Sequence, residues 1–153
     1  LGPLVRDVFD LKNILVWDKV NIGMGHYFRR RSELILFACK GKRPVARRDI
    51  PDVWRIRRIH RAPYPTQKPV EIFQAMIASS RHSEDRDFLV CDPFVGSGSA
   101  AIAALRLGAS FVGCDAAERA VDIARGRIQA FQATGRDPLQ KSSALAPDQE
   151  ALW

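Results

Sequence analysis

The chain has 153 residues, of which 46% are hydrophobic, and it includes three Trp and eight Phe. This length suits one domain of roughly 100–200 residues with an apolar core, which excludes a disordered chain and a disulfide-dependent miniprotein. The net charge is +7, and residues 1–62 carry 15 Lys and Arg against six Asp and Glu. Such a basic surface indicates either a solvated face or contact with nucleic-acid phosphates, and composition leaves both open.

Neither a membrane span nor a secretory signal pattern is found, because apolar runs stay short of the ~18 residues that a span needs. Cys39, Cys91 and Cys114 are widely spaced and form no CxxC pair. We therefore expect no metal site, buried free thiols, and a reducing, cytoplasmic compartment.

The first part of the chain is predicted to form two strands followed by a long connection. Apolar runs predict strands over residues 13–17 and 33–39, and the glycines of residues 21–27 predict a loop between them. Residues 43–65 are rich in Arg and Pro without a clear period, which indicates a surface connection. Pro69 then occupies the first turn of a helix whose apolar face carries Val70, Phe73, Met76 and Ile77.

The second part alternates strands and helices. Residues 87–92 predict a buried strand, residues 93–98 a tight turn, and residues 99–107 a helix that Gly108 ends. A second strand over 110–115 and an amphipathic helix over 117–132, with Val121, Ala124, Ile128 and Phe131 in register, follow. After Gly135 the chain becomes polar and is expected to form a tail. This order is half of a nucleotide-binding α/β fold.

The tight turn has the sequence Asp92-Pro93-Phe94-Val95-Gly96-Ser97-Gly98-Ser99. Its glycines permit a bend that a Cβ would block, and the helix N-terminus beyond it favours negative charge. Asp115, 17 residues after Gly98, is placed to accept hydrogen bonds from a ribose diol. The turn also fits G-x-G-x-x-A, so NAD remains an alternative, whereas a Walker A loop is excluded because no Gly-Lys-Ser/Thr follows.

Two features favour S-adenosylmethionine over NAD. Asp92, directly before the turn, can bind the ammonium of an amino-acid ligand and would repel a pyrophosphate. Upstream, Thr66-Gln67-Lys68-Pro69 offers a hydroxyl, an amide and a cation to a carboxylate. The structural alternative is that Asp92 only caps the turn and that Lys68 is solvated.

Three segments, in this order, resemble the DNA methyltransferases that methylate exocyclic amino groups (adenine-N6 and cytosine-N4). They are Tyr64-Pro65-Thr66-Gln67-Lys68-Pro69-Val70-Glu71, then the tight turn, then Phe111-Val112-Gly113-Cys114-Asp115. The chain resembles their circularly permuted group, in which the catalytic half precedes the cofactor half. Residues 17–33 are similar to that family's strand pair beside the target-base pocket. The resemblance covers roughly residues 12–131 and implies an α/β fold: a Rossmann-like S-adenosylmethionine-dependent methyltransferase sheet with helices on both faces, here incomplete.

The resemblance also implies roles for individual residues. The S-adenosylmethionine site would consist of Thr66, Gln67, Lys68, Asp92, Phe94, Gly96, Gly98, Ser99 and Asp115. Asp115 would hold the ribose, and residues 66–68 the methionine end. Phe28, or Tyr27 beside it, would stack on a base extruded from double-stranded DNA, with packing against the strand pair as the alternative. Arg29, Arg30 and Arg31 would contact the DNA backbone.

We therefore expect residues 1–62 to form the basic, DNA-facing part of the methyltransferase domain. Residues 63–132 would form its S-adenosylmethionine-binding part, and residues 133–153 a polar tail. Without the family's two central strands, the first two parts should not be adjacent. Their open sheet edges should favour self-association.

The family's catalytic tetrapeptide, Asp/Asn/Ser-Pro-Pro-aromatic, accepts the hydrogens of the target amine, and it does not occur in this sequence. In the permuted order it should lie upstream of Leu1. We therefore expect a C-terminal part without a catalytic residue of its own, inactive alone, whose partner is the missing N-terminal half or a second copy. Adenine-N6 is favoured over cytosine-N4 as the more frequent target. The alternative is a non-catalytic remnant or partner subunit that binds S-adenosylmethionine or DNA.

Overall fold

The computed structural model describes residues 2–140. Within them the elements are α1 (Gly2–Arg6), β1 (Asp10–Asp18), β2 (Ser32–Cys39), β3 (Val53–Arg55), α2 (Val70–Ser80), β4 (Leu89–Asp92), α3 (Ser99–Arg106), β5 (Ser110–Gly113) and α4 (Glu118–Thr134). The strands form two sheets, ordered β2-β1-β3 and β4-β5. None of the helices in this described part has the length and apolar character to cross a membrane.

The first sheet contains a strand that the sequence pattern does not predict. The two predicted strands, β1 and β2, pair antiparallel, and β3 lies parallel to β1 with Trp54 opposite Trp17. Trp54 and Ile56 are each only 1% exposed. The interpretation of residues 43–65 as a surface connection is therefore wrong at this point. Charged neighbours conceal the apolar-x-apolar alternation that marks a half-buried strand.

The second sheet is a parallel pair joined through α3, as the predicted α/β order requires. Val90 and Phe111 are paired on one face and pack against the apolar core around α2 and α3. On the opposite face Leu89 and Val112 are exposed. The described residues therefore form a Rossmann-like unit in incomplete form, in which helices cover one face of this sheet rather than both. Parallel sheets are ordinarily covered on both faces.

Helix α2 connects the two sheets. Its Ile77 packs in one core with Ile102 of α3, and its Ile72 packs in another with Trp17 and Trp54. The expectation that the two parts of the chain are not adjacent is wrong, because α2 is apolar on two sides. Both described sheets end in unpaired strands, and self-association through those edges stays a prediction.

The predicted apolar face of helix α4 is confirmed in part, since Ala124 is buried and Phe131 packs against the apolar core, but the fully buried stripe is shifted to one side of it. Its buried residues are Ala120, Ala124 and Arg127, which are spaced as one helical face. Val121 and Ile128 of the expected face are half-buried. Gly135 ends the helix in the left-handed region at φ 68°. The buried face of α4 therefore carries a cation toward the protein interior.

The cysteines are less buried than predicted. Cys91 and Cys114 are exposed, and Cys39 is half-buried. Cys91 lies opposite Val112, on the face of β4 and β5 that the described residues leave uncovered. The prediction of buried thiols rests on the apolar residues that flank each cysteine, and it is wrong for Cys91 and Cys114, because apolar sequence neighbours do not ensure that a thiol lies on a covered face.

Candidate functional site

A cavity of about 190 Å³ lies between the tight turn and the segment that precedes α2. It is lined by Tyr64, Thr66, Gln67, Lys68, Phe73, Asp92, Phe94, Val95, Gly96, Ser97 and Ser99. Seven of the nine predicted cofactor residues are in this lining, and Gly98 and Asp115 are not. A larger cavity of about 590 Å³ between β1, β2 and α2 contains none of the nine, so the smaller one is the candidate site.

The glycines of the turn adopt conformations that other residues rarely take. Gly96 has φ 50° and Gly98 has φ 79°. A Cβ on Gly98 would lie 3.1 Å from the Cβ of Ala124 in α4. The turn is tied to β5 by the Val95 N–H, which donates to the Cys114 carbonyl at 2.9 Å. Gly98 is therefore required both by the backbone and by the close approach of α4.

The Asp115 carboxylate holds the turn in place through hydrogen bonds with backbone N–H groups. Its Oδ1 accepts a hydrogen bond from the Ala117 N–H at 3.0 Å, and its Oδ2 accepts one from the Gly96 N–H at 2.9 Å. These backbone hydrogen bonds, the one from Ala117 first, hold the pKa of the Asp115 carboxyl below its ordinary value. Asp115 is therefore ionised at neutral pH. Its contacts within the described residues are to the backbone of the turn and of its own loop.

Asp92 lies at the end of β4 and caps the turn. Its Oδ1 accepts a hydrogen bond from the Phe94 N–H at 3.0 Å. Phe94 projects from the turn with 84% of its surface exposed. The capping contact that the structural alternative requires is thus present, and Asp92 also lines the cavity.

The predicted carboxylate-binding residues reach the cavity, but the protein itself already uses their donors. The Thr66 hydroxyl donates to the Pro65 carbonyl at 2.6 Å, with Thr66 at φ 62°. Gln67 is buried, and its Nε2 donates to the Leu139 carbonyl at 3.3 Å. The buried Gln67 Oε1 has no hydrogen-bond partner in residues 2–140. An unpartnered buried oxygen is costly unless a ligand donor satisfies it.

Lys68 is held by Glu33, a residue that the sequence did not single out. The Lys68 Nζ lies 2.5 Å from Glu33 Oε2 and 5.0 Å from the centre of the Trp17 ring. Burial raises the pKa of the Glu33 carboxyl, but Lys68 and then Lys19 outweigh it and lower that pKa overall. Because an ammonium has three donors, Lys68 can bind Glu33 and still face a ligand. Glu33 links β2 to the candidate site.

Behind the turn lies an ion pair that the sequence did not reveal either. Arg127 of α4 donates to both carboxylate oxygens of Asp137, at 2.8 and 2.7 Å. The side chains are 1% and 0% exposed. Asp137 falls in the expected polar tail, so this portion of that segment belongs to the packed fold. The position of Arg127 on the Ala120–Ala124 face is the sequence signal that could have revealed it.

The loop between β1 and β2 presents two aromatic rings to solvent. Tyr27 is 89% exposed and Phe28 is 92% exposed. The alternative in which Phe28 packs against the strand pair is therefore not observed. Both rings stand free of the described core, as a base-stacking surface requires.

The three arginines that follow Phe28 differ in their contacts. The Arg29 Nε donates to the Gly23 carbonyl at 2.8 Å, and Arg31 forms a two-pronged ion pair with Asp18 at 2.6 Å. Arg30 is exposed, and its carbonyl accepts the Gly23 N–H at 2.7 Å. Arg29 and Arg31 are predicted, with Arg30, to contact the DNA backbone. Through these bonds they also hold the loop that carries the aromatic rings.

The chain matches a family model described as DNA methylase (N6_N4_Mtase) over residues 4–126. It is 30% identical over 152 residues to the type II methyltransferase M2.DpnII of Streptococcus pneumoniae, covering 86% of this chain and 56% of that protein. It is 32% identical over 107 residues to M.HhaII of Haemophilus parahaemolyticus, covering 67% and 45%. It thus spans about half the length of these curated relatives.

Solved structures support the fold. The crystal structure of an M1.HpyAVI–SAM complex superposes with a TM-score of 0.63 at 23% identity, covering 81% of this chain and 65% of that one. TTHA0409 of Thermus thermophilus, solved with S-adenosyl-L-methionine, has a TM-score of 0.63 at 23% identity, covering 88% and 59%. At these identities the likeness establishes the Rossmann-like architecture.

Proposed function

The chain belongs to the DNA methylase family that includes the N6 and N4 amino-methyltransferases, and on this premise we propose that it forms the cofactor-binding and DNA-facing part of an S-adenosylmethionine-dependent DNA methyltransferase. The observation that carries the proposal is the cavity. Asp92, directly before the turn, and Lys68, in the segment before α2, place an anion and a cation in the lining of one small cavity. A zwitterionic amino-acid ligand is complementary to that pair.

The residues present fit this cofactor. The buried Gln67 Oε1, without a partner in residues 2–140, can accept a hydrogen bond from an ammonium or hydroxyl group. Gly96 has φ 50°, a conformation that favours glycine over other residues. Because glycine has no side chain, a ligand can approach the backbone of the turn closely at this position. In this proposal Asp92 binds the ammonium, Gln67 and Lys68 bind the methionine end, and Asp115 binds the ribose while holding the turn. When bound, S-adenosylmethionine supplies an electrophilic methyl group.

The DNA-facing part is the β1–β2 loop. Exposed Phe28 and Tyr27 are proposed to stack on the extruded base, and Arg29, Arg30 and Arg31 to contact the backbone of double-stranded DNA. The acceptor is an exocyclic amino group, adenine-N6 in preference to cytosine-N4. The proposed division assigns residues 1–62 to DNA and residues 63–132 to the cofactor.

Catalysis requires a group that accepts the amine hydrogens, and the family's tetrapeptide does not occur in the 153 residues. We therefore propose that this chain alone binds S-adenosylmethionine without transferring its methyl group. The same absence favours a second candidate, a non-catalytic S-adenosylmethionine- or DNA-binding partner. Transfer of a radiolabelled methyl group to DNA by residues 1–153 alone would contradict both.

Binding variants test the site. Asp115→Ala removes the acceptor of two backbone donors, and we expect S-adenosylmethionine to bind more weakly by about 1–3 kcal/mol in calorimetric titration. Asp92→Asn should weaken binding through the lost charge while keeping an oxygen for the Phe94 N–H. Asp122→Asn, an exposed change on α4, is the matched control and should have no effect. Equal affinity in the Asp92 variant and the control would remove Asp92 from the site.

A further inference from the structure

The buried ion pair of Arg127 and Asp137 also forms hydrogen bonds to the tight turn. The Arg127 guanidinium uses Nε and Nη2 for Asp137, which leaves Nη1 to reach the turn. Nη1 donates to the Ser97 carbonyl at 2.9 Å, to Ser97 Oγ at 3.3 Å and to Ser99 Oγ at 3.0 Å. A rigid planar fork can make these contacts together only in one orientation.

Ser99 connects Arg127 to the segment that precedes α2. Its hydroxyl accepts from Arg127 and donates to the Lys68 carbonyl at 2.8 Å. Ser99 and Lys68 both line the cavity. Arg127 is therefore joined, through one hydroxyl, to the backbone of the segment that precedes α2.

Asp137 provides a second connection to the same segment. Its Oδ1 also accepts the Leu139 N–H at 3.0 Å, and the Leu139 carbonyl accepts from Gln67 Nε2 at 3.3 Å. Gln67 is the residue whose buried Oε1 lacks a partner in the described part of the chain. The position of that oxygen thus depends on residues 137–139.

From these contacts we infer that Arg127 and Asp137 are positioning residues, which fix the tight turn and residues 67–68 relative to each other. Neither lines the cavity, so both act through Ser97, Ser99, Leu139 and Gln67. A buried ion pair by itself adds little net stability over apolar residues of the same volume. This inference rests on the proposed function only where it concerns S-adenosylmethionine.

The test compares two double variants on the same helix. R127M/D137N removes the ion pair and the contacts to the turn, while the amide oxygen introduced at 137 can still accept the Leu139 N–H. Removing both charges avoids an uncompensated buried ion. R125M/D122N removes an exposed ion pair of α4 and is the matched control. R127K serves as a second variant, since lysine keeps the charge but lacks the fork.

Amide hydrogen exchange measures how stably the turn is held, and it needs no ligand. The amides of Val95, Gly96 and Gly98 report on the turn, and the amide of buried Ala109, bonded to the Ala104 carbonyl, reports on the core away from the turn. In R127M/D137N we expect the turn amides to exchange about tenfold faster, with Ala109 unchanged and the control like wild type. Calorimetry should show S-adenosylmethionine binding about tenfold weaker.

The outcomes separate the two proposals. Unchanged exchange in the turn would overturn the positioning role, as would equal acceleration at Ala109, which indicates general destabilisation. If R127M/D137N does not fold, the same exchange comparison is made with R127K. Failure of the wild-type chain to bind S-adenosylmethionine would contradict the proposed function, while the exchange data would still decide the positioning role.

Discussion

Substitution of single glycines separates the cost of backbone conformation from the cost of packing around the tight turn. Gly98→Ala places a side chain at φ 79° and brings its Cβ to 3.1 Å from Ala124 Cβ and 3.2 Å from Ala124 Cα. The left-handed conformation costs about 1–2 kcal/mol for a residue other than glycine. Crowding of a packed contact adds about 1–3 kcal/mol. The expected loss in free energy of unfolding is therefore about 2–5 kcal/mol.

Two other glycines provide matched controls. Gly135→Ala has φ 68° with no atom within 4 Å of the added Cβ, so it should cost only the conformational part, about 1–2 kcal/mol. Gly126→Ala lies in α4 with space around it and should stabilise by about 0.5–1 kcal/mol. Urea denaturation of the three variants measures these differences. Equal losses for the variants at Gly98 and Gly135 would refute the close packing of α4 against the turn.

Three further predictions concern DNA binding and stability at low pH. Arg30→Ala should weaken DNA binding for all sequences and reduce the slope of log affinity against log salt by about 1; an unchanged slope would assign Arg30 to the solvated surface. Phe28→Ala should weaken binding of single-stranded or mismatched DNA by about 1–3 kcal/mol without changing the melting temperature, and a lowered melting temperature would show that the ring packs. The free energy of unfolding should fall as pH drops below about 4, because the folded pKa values of Asp137, Asp115 and Glu33 lie below their unfolded values and the unfolded chain binds more protons. Urea midpoints at about pH 6 and about pH 3 check this, and equal midpoints would contradict it.

The pH dependence has a definite physical origin at Asp137. Burial alone would raise the pKa of its carboxyl, but the hydrogen bonds and the charge of Arg127 outweigh burial and lower that pKa. The stability that this pair provides is present above the ordinary carboxyl pKa of 3.8 and is lost as pH falls through the lowered folded value. In R127M/D137N the acid-induced loss should accordingly be smaller than in the wild type.

The parts of the fold that follow from local pattern were predictable. Gly96 and Gly98 between a strand and a helix identify the turn, and the order of Thr66-Gln67-Lys68 before Asp92 indicates the ligand chemistry. Strand β3 was hidden because Trp54 and Ile56 alternate with arginines in a segment without a sustained period. A three-residue strand gives too short a repeat to stand out.

The supporting residues of the site could not be predicted in the same way. Arg127 shares a helical face with Ala120 and Ala124, but charged residues are almost never fully buried unless paired, and no sequence pattern identifies its partner. Its partner Asp137 lies beyond Gly135, where a polar composition indicates a tail. Glu33 reaches Lys68 across 35 residues of sequence, and no local pattern encodes such a tertiary contact.

Calorimetric titration of the wild-type chain with S-adenosylmethionine, with NAD titrated in parallel, tests the proposed cofactor site most directly. Asp92 and Lys68 in the lining of one cavity lead us to expect binding of S-adenosylmethionine with a dissociation constant in the micromolar range, about −8 kcal/mol, and no binding of NAD. Binding of NAD instead, or of neither ligand, would contradict an S-adenosylmethionine site formed by these residues.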